Sequence, residues 1–205
     1  MARAHSLVVV VLTLVFASTA YGGAAKISQR MKVVPEAAIV PDPKAATVVF
    51  VKPSNRVIID AIIDADGDGT ALGDVAPVSK LIVHVSPGEH TFVQALLKDS
   101  VGGKFNLWGH VVCTQVMGTL EAGKIYFVEM SAFRAFVAKP SNPKLAEWAR
   151  GQRLELSVPG PISMKTDPEW QACRAEAAKN MEKDKKKNDL RSIFRGEDAL
   201  TAWPQ

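Results

Sequence analysis

The stretch from Leu81 to Val93 constrains the fold more than any other part of the chain. Two apolar arms, Leu81-Ile82-Val83-His84-Val85 and Thr91-Phe92-Val93, flank Ser86-Pro87-Gly88-Glu89-His90. Proline presets φ for the first central position of a turn, and glycine accepts the positive φ that a type II turn needs next. Val, Ile, Phe and Thr in the arms suit a pleated, half-buried surface. The expectation is a β-hairpin turning at Pro87 and Gly88, with His90 capping the turn by a hydrogen bond. In that register Val85 faces His90 and Val83 faces Phe92. His84, Thr91, Ile82 and Val93 then share the opposite side. A slip of one residue would exchange the two faces.

The same texture recurs on either side. Thr47–Val51, Arg56–Ile63, Leu72–Val75, Phe105–Met117 and Lys124–Met130 are short apolar runs bounded by Gly, Pro or charged turns. The run from Lys124 is expected to continue through Phe136, and Arg153–Val158 alternates like a last strand. Strands of this length and spacing predict a mainly β fold, an antiparallel β-sandwich. Beyond Pro140 the pattern becomes helical. Asn142 followed by Pro143, with Gly151 downstream, carries the start and stop signals of a short helix. A second helix starts near Thr166-Asp167-Pro168-Glu169, where Thr166 or Asp167 can cap. Trp170, Cys173, Ala177 and Met181 fall on one of its faces, and the stripe dissolves past Lys183.

The N-terminus is read apart from the fold. Arg3 and His5 precede an unbroken apolar run from Leu7 to Phe16, and Ala17-Ser18-Thr19-Ala20 offers small residues for cleavage. Residues 1–20 therefore read as a secretory signal peptide, the apolar run being short for a membrane span. Residues 21–45, with Gly22-Gly23, Pro35, Pro41 and Pro43, read as a flexible leader. The sandwich is assigned to 46–160 and a C-terminal helical extension to 161–205. Loss of the signal removes Arg3 and no acid, so the 25 basic and 21 acidic residues of the whole chain become 24 and 21. That balance is too mild for a nucleic-acid partner. The expected location is periplasmic or secreted, with no transmembrane segment in the mature chain.

Leu72-Gly73, then Val83-His84-Val85-Ser86-Pro87-Gly88-Glu89-His90-Thr91-Phe92, then Ala122-Gly123-Lys124-Ile125-Tyr126-Phe127-Val128 make a recognisable set. The set resembles a bacterial family of exported domains of unknown function, family 2846. The resemblance implies a small β-sandwich with a Pro-Gly-x-His hairpin and a compartment outside the cytoplasm. It implies no activity and no catalytic residue. Many members carry a lipoprotein signal, whereas no cysteine stands near the cleavage site here.

Asp64-Ala65-Asp66-Gly67-Asp68-Gly69-Thr70 is the sharpest chemical motif. Alternating acids followed by glycine match the opening of a calcium loop, in which hard oxygens surround the ion. Val75 stands at the twelfth position, where an EF-hand needs Glu, and the flanks read as strand. The loop is thus either an acidic β-turn kept polar by Asp and Gly, or a weak calcium site using Asp64, Asp66, Asp68 and the Thr70 carbonyl. A zinc set from His84, His90, His110 and Cys113 is disfavoured, because strand geometry points these residues to different faces. Neither a Gly-x-Ser-x-Gly elbow nor a catalytic cysteine motif occurs, so no catalytic residue is assigned. The basic run around Lys183–Lys187 reads as a solvated helix end, since nine basic residues face eight acidic ones from Lys165 onward.

Cys113 and Cys173 are the only cysteines, in a chain expected to reach an oxidising compartment. A disulfide between them would pin the C-terminal helix, whose apolar stripe is short, against the sheet. Together these readings predict a non-catalytic envelope or extracellular module that binds a protein or an envelope polymer. The calcium module is the first alternative and a hydrolase the more remote one.

Overall fold

The computed structural model describes residues 31–33, 42–54, 60–67, 69–95, 113–131, 134–151, 153–157, 162–163 and 168–204. The strands are β1 (Met31–Val33), β2 (Ala46–Lys52), β3 (Asp60–Asp64), β4 (Thr70–Val75), β5 (Ser79–Val85) and β6 (Gly88–Ala95). They continue with β7 (Cys113–Leu120), β8 (Ile125–Met130), β9 (Ala135–Ala138), β10 (Arg153–Ser157), β11 (Ile162–Ser163) and β12 (Ile193–Phe194). The helices α1 (Leu145–Gly151) and α2 (Pro168–Lys186) and a 3-10 turn (Gly196–Asp198) accompany them. The signal segment 1–20, Asp68, His110 and the parts of predicted strands at 56–59 and 96–112 lie outside the described residues.

Two six-stranded sheets, ordered β1-β10-β5-β2-β8-β9 and β11-β4-β3-β6-β7-β12, form the expected mainly β sandwich. Most ladders are antiparallel; β2–β8, β5–β10 and β7–β12 are parallel. The pleat sends alternate residues to opposite faces. Val48 and Phe50 of β2 therefore meet Ile62, Phe92 and Val116 in the core between the sheets. Val49 and Val51 point outward with Ile82 and Phe127, under Leu145 and Trp148 of α1. On the far face of the second sheet, Ala61, Ile63, Val93, Ala95 and Cys113 lie under Trp170, Cys173 and Ala177 of α2. Strands covered on both faces carry apolar residues at consecutive positions, hence the unbroken runs in the sequence. Burying each large side chain stabilises the fold by about 1.5–3 kcal/mol.

The predicted hairpin is not one. β5 pairs with β2 and β10 in one sheet, while β6 pairs with β3 and β7 in the other. Pro87 and Gly88 instead form a corner that carries the chain between sheets, with Gly88 at φ 136°. Longer ladders outcompete the local one. β2 meets β5 in register from Ala46↔Val85 to Lys52↔Ser79, and β6 meets β7 from Gly88↔Leu120 to Ala95↔Cys113. Val83 and Phe92 do share the core, but across the sandwich rather than side by side. Ile82 and Val93 part to opposite outer faces, each under its own helix.

Further segments differ from expectation: the stretch 161–205, expected as a helical extension, also supplies β11 and β12 at the two ends of the second sheet. Met31–Val33, within the expected leader, pairs antiparallel with β10 as an edge strand. The strand from Lys124 ends at Met130, because Ser131 turns the chain with its N–H donated to the Arg134 carbonyl at 2.8 Å. The chain returns as β9.

α1 begins as the sequence indicates and α2 begins at Pro168, while the caps expected at Thr166 or Asp167 lie outside the described residues. Asn142 Oδ1 accepts the Lys144 N–H at 3.0 Å, and the Asn142 carbonyl accepts the Leu145 N–H at 3.2 Å. At the other end of α1 the buried Lys80 Nζ donates to the Ala149 carbonyl, placing an ammonium where the helix dipole favours one. The α2 stripe of Trp170, Cys173, Ala177 and Met181 is buried throughout. Cys173 is disulfide-bonded to Cys113, with Cα atoms 5.4 Å apart. Among the described residues no helix is long and apolar enough to cross a membrane.

Candidate functional site

The acidic loop between β3 and β4 is built on two glycines. Gly67 at φ 59° and Gly69 at φ 89° adopt left-handed conformations that bend the chain within a few residues. The Asp66 N–H donates to Asp64 Oδ1 at 3.2 Å, and the Gly69 N–H donates to the Asp66 carbonyl at 3.1 Å. Neighbouring elements hold the loop from outside. The Ala65 N–H donates to the Thr91 carbonyl of β6 at 2.7 Å, and Arg174 Nη1 of α2 donates to the Gly67 carbonyl at 2.9 Å. Trp170 packs directly against Gly69.

His90 enters this loop from β6. It has the same strand parity as Phe92, and its ring lies parallel to the Phe92 ring, centroids 5.5 Å apart. The side chain is 7% exposed. Nε2 donates to the Ser86 carbonyl at 2.7 Å, so the anticipated histidine bond to the turn is present, on a corner instead of a hairpin. Nδ1 lies 3.1 Å from Asp64 Oδ2 and 3.5 Å from Asp66 Oδ2.

The hydrogen-bond chemistry of this arrangement is restrictive. A carbonyl oxygen only accepts, so Nε2 must carry the proton of the Ser86 bond. Nδ1 then points at carboxylates that also only accept when ionised. The contact calls for a proton or a cation between ring and acids: a second ring proton, a carboxyl O–H donating to Nδ1, or a bound cation. The carboxyl of Asp66, although its side chain is 57% exposed, is pushed up from its ordinary value by partial loss of hydration first and by the Asp64 charge second, against the opposing pull of His90 and Arg174.

Of the residues expected to surround calcium, Asp64 and Asp66 come together, joined by His90, with ligand atoms all within 4.8 Å of one another. Thr70 opens β4 opposite Asp64 in the ladder. The zinc set disfavoured from the sequence does not assemble: His84 is exposed on the other sheet with Nδ1 3.1 Å from Thr47 Oγ1, and Cys113 is in the disulfide. Sequence spacing concealed the partnership of His90 with Asp64, which stand 26 positions apart. The parity of Ile62, Asp64, His90 and Phe92 is the signal that carries it, once β3 and β6 are known to be neighbours.

A groove of about 560 Å³ runs between β9 and the turn after α2, lined by Lys139, Lys187, Arg191, Arg195 and Asp198 among others. Arg191 is paired there with Asp189 at 2.7 Å and Arg195 with Glu197 at 3.5 Å. Compared with protein-family models, with curated proteins and with solved structures, the chain finds no match.

Proposed function

We propose that this protein is an exported, non-catalytic binding module. It docks a protein or an envelope polymer through the rim where the acidic loop meets His90. The observation that carries this reading is the anchoring of that loop by three separate contacts. Thr91 of β6, Arg174 of α2 and the Trp170 indole hold the loop at Ala65, Gly67 and Gly69, so the carboxylates of Asp64 and Asp66 are presented at a reduced ordering cost on binding. The Cys113–Cys173 bond supports a compartment where thiols are oxidised, in keeping with the signal-like segment at residues 1–20.

Fractionation of the native cell, followed by mass spectrometry, tests the export. The mature N-terminus is expected between Tyr21 and Lys26, and a cytoplasmic protein with Met1 intact would refute it. Sedimentation with isolated envelope tests the binding. The folded Asp64→Asn/Asp66→Asn variant should lose retention, and equal retention of that variant would remove the rim from the proposal.

A further inference from the structure

We propose that Asp64, Asp66 and His90 form a site for a divalent cation of the zinc class; this deepens the reading of the rim as the binding end and rests on it. The donor set is one imidazole nitrogen and two carboxylates, contributed by β3, the acidic loop and β6. Zinc takes His nitrogen and Asp oxygen at about 2.0–2.2 Å in a tetrahedron, which puts its ligand atoms about 3.3 Å apart. The Nδ1 separations from the two Asp Oδ2 atoms, 3.1 and 3.5 Å, bracket that value.

The independent observation lies outside the cluster. His90 is nearly wholly buried and commits its Nε2 proton to the Ser86 carbonyl. A metal-bound histidine characteristically donates its far N–H to a backbone carbonyl, which fixes the tautomer and turns the other lone pair to the ion. Stacking on Phe92 fixes the plane of the ring as well. Asp64 is arranged to match. Its Oδ1 accepts the Asp66 N–H, and Oδ2 faces the imidazole.

The nitrogen donor separates this site from calcium. Calcium collects six to eight oxygens, whereas imidazole suits zinc and its transition-metal neighbours. Asp66 is 57% exposed, so the fourth position opens to solvent, where water or an oxygen or nitrogen of a docked partner completes the shell.

The test uses the mature chain with its disulfide intact, stripped by chelator and titrated calorimetrically with Zn²⁺ and with Ca²⁺. One Zn²⁺ per chain is expected, bound at least about tenfold more tightly than Ca²⁺. His90→Gln and Asp66→Asn should each weaken Zn²⁺ by about tenfold or more. Asp66→Asn decides the matter if His90→Gln does not fold, because an exposed loop side chain contributes little packing. Zn²⁺ affinity unchanged by Asp66→Asn, absence of Zn²⁺ binding, or Ca²⁺ binding as tight as Zn²⁺ would each overturn the proposal. Nitrogen NMR showing Nδ1 still protonated at saturating Zn²⁺ would do the same, assigning the position to a proton. Envelope docking that persists without Zn²⁺ binding defeats this inference alone, while Zn²⁺ binding without docking defeats only the rim's role as a docking surface.

Discussion

Gly69 rests on the indole of Trp170 so closely that a Cβ at that position would fall 2.6 Å from Nε1. The acidic loop is thereby seated on α2, and α2 is bonded through Cys173 to Cys113 of β7. Loop, helix and sheet form one mechanical unit.

Replacing Gly69 tests that seat. Gly69→Ala adds a clash with a buried ring to an unfavourable positive φ, and should destabilise by about 2–3 kcal/mol. Gly67 also has a positive φ, 59°, but a Cβ there would meet nothing within 4 Å, so Gly67→Ala should cost only about 1 kcal/mol. Urea unfolding of both variants gives the comparison, and equal losses would show that the indole contact carries no weight.

Reduction of the disulfide should loosen α2 before it loosens the sheets. The cysteines are 60 residues apart, for which the chain-entropy account assigns about 4 kcal/mol. Hydrogen exchange of the Cys113→Ser/Cys173→Ser variant should show lost protection along α2 while β2 and β8 remain protected. Unchanged protection in α2 would mean that Trp170, Ala177 and Met181 dock the helix unaided.

Lys80 is wholly buried, donates to the Ala149 carbonyl and lies 5.9 Å from the centre of the Trp203 ring. Lys80→Met keeps most of the volume but strands the carbonyl at the end of α1. The expected loss is about 2–3 kcal/mol, the range for a buried hydrogen bond to a charged group. The measurement is again denaturant unfolding, with tryptophan emission reporting on Trp148 and Trp203.

The turn after α2 should weaken in acid. Asp189 accepts from Arg191 Nε at 2.9 Å and Nη2 at 2.7 Å. That pairing, more than the neighbouring Arg134, holds its carboxyl down to about 2 from an ordinary 3.8. A carboxyl depressed on folding stabilises above its unfolded value and loses that contribution as pH falls through the folded one. The stability difference between wild type and Asp189→Asn should thus be constant near neutrality and shrink between about pH 4 and pH 2. A difference independent of pH over that interval would disprove the pairing's role.

Local chemistry was legible in the sequence wherever neighbouring residues decide the outcome. The runs at Ala46–Lys52 and Ile125–Met130, the Asn142 cap and the Trp170-Cys173-Ala177-Met181 face all occur where their patterns place them. Even the pairing of Cys113 with Cys173 was readable, because two cysteines in one chain leave each a single intramolecular partner. Pro87 and Gly88 mark where the tertiary structure took over. Their local chemistry specifies a change of direction, and hairpin and corner satisfy it equally. The choice fell to ladders with β2, β7 and β10, strands distant in sequence whose registers no local signal encodes. The same choice made the candidate site: β6 joined β3 in the second sheet, and only that adjacency brings His90 to Asp64. Backbone propensity and side-chain periodicity act over a few residues, whereas strand partners are selected by the burial they achieve together across the whole core.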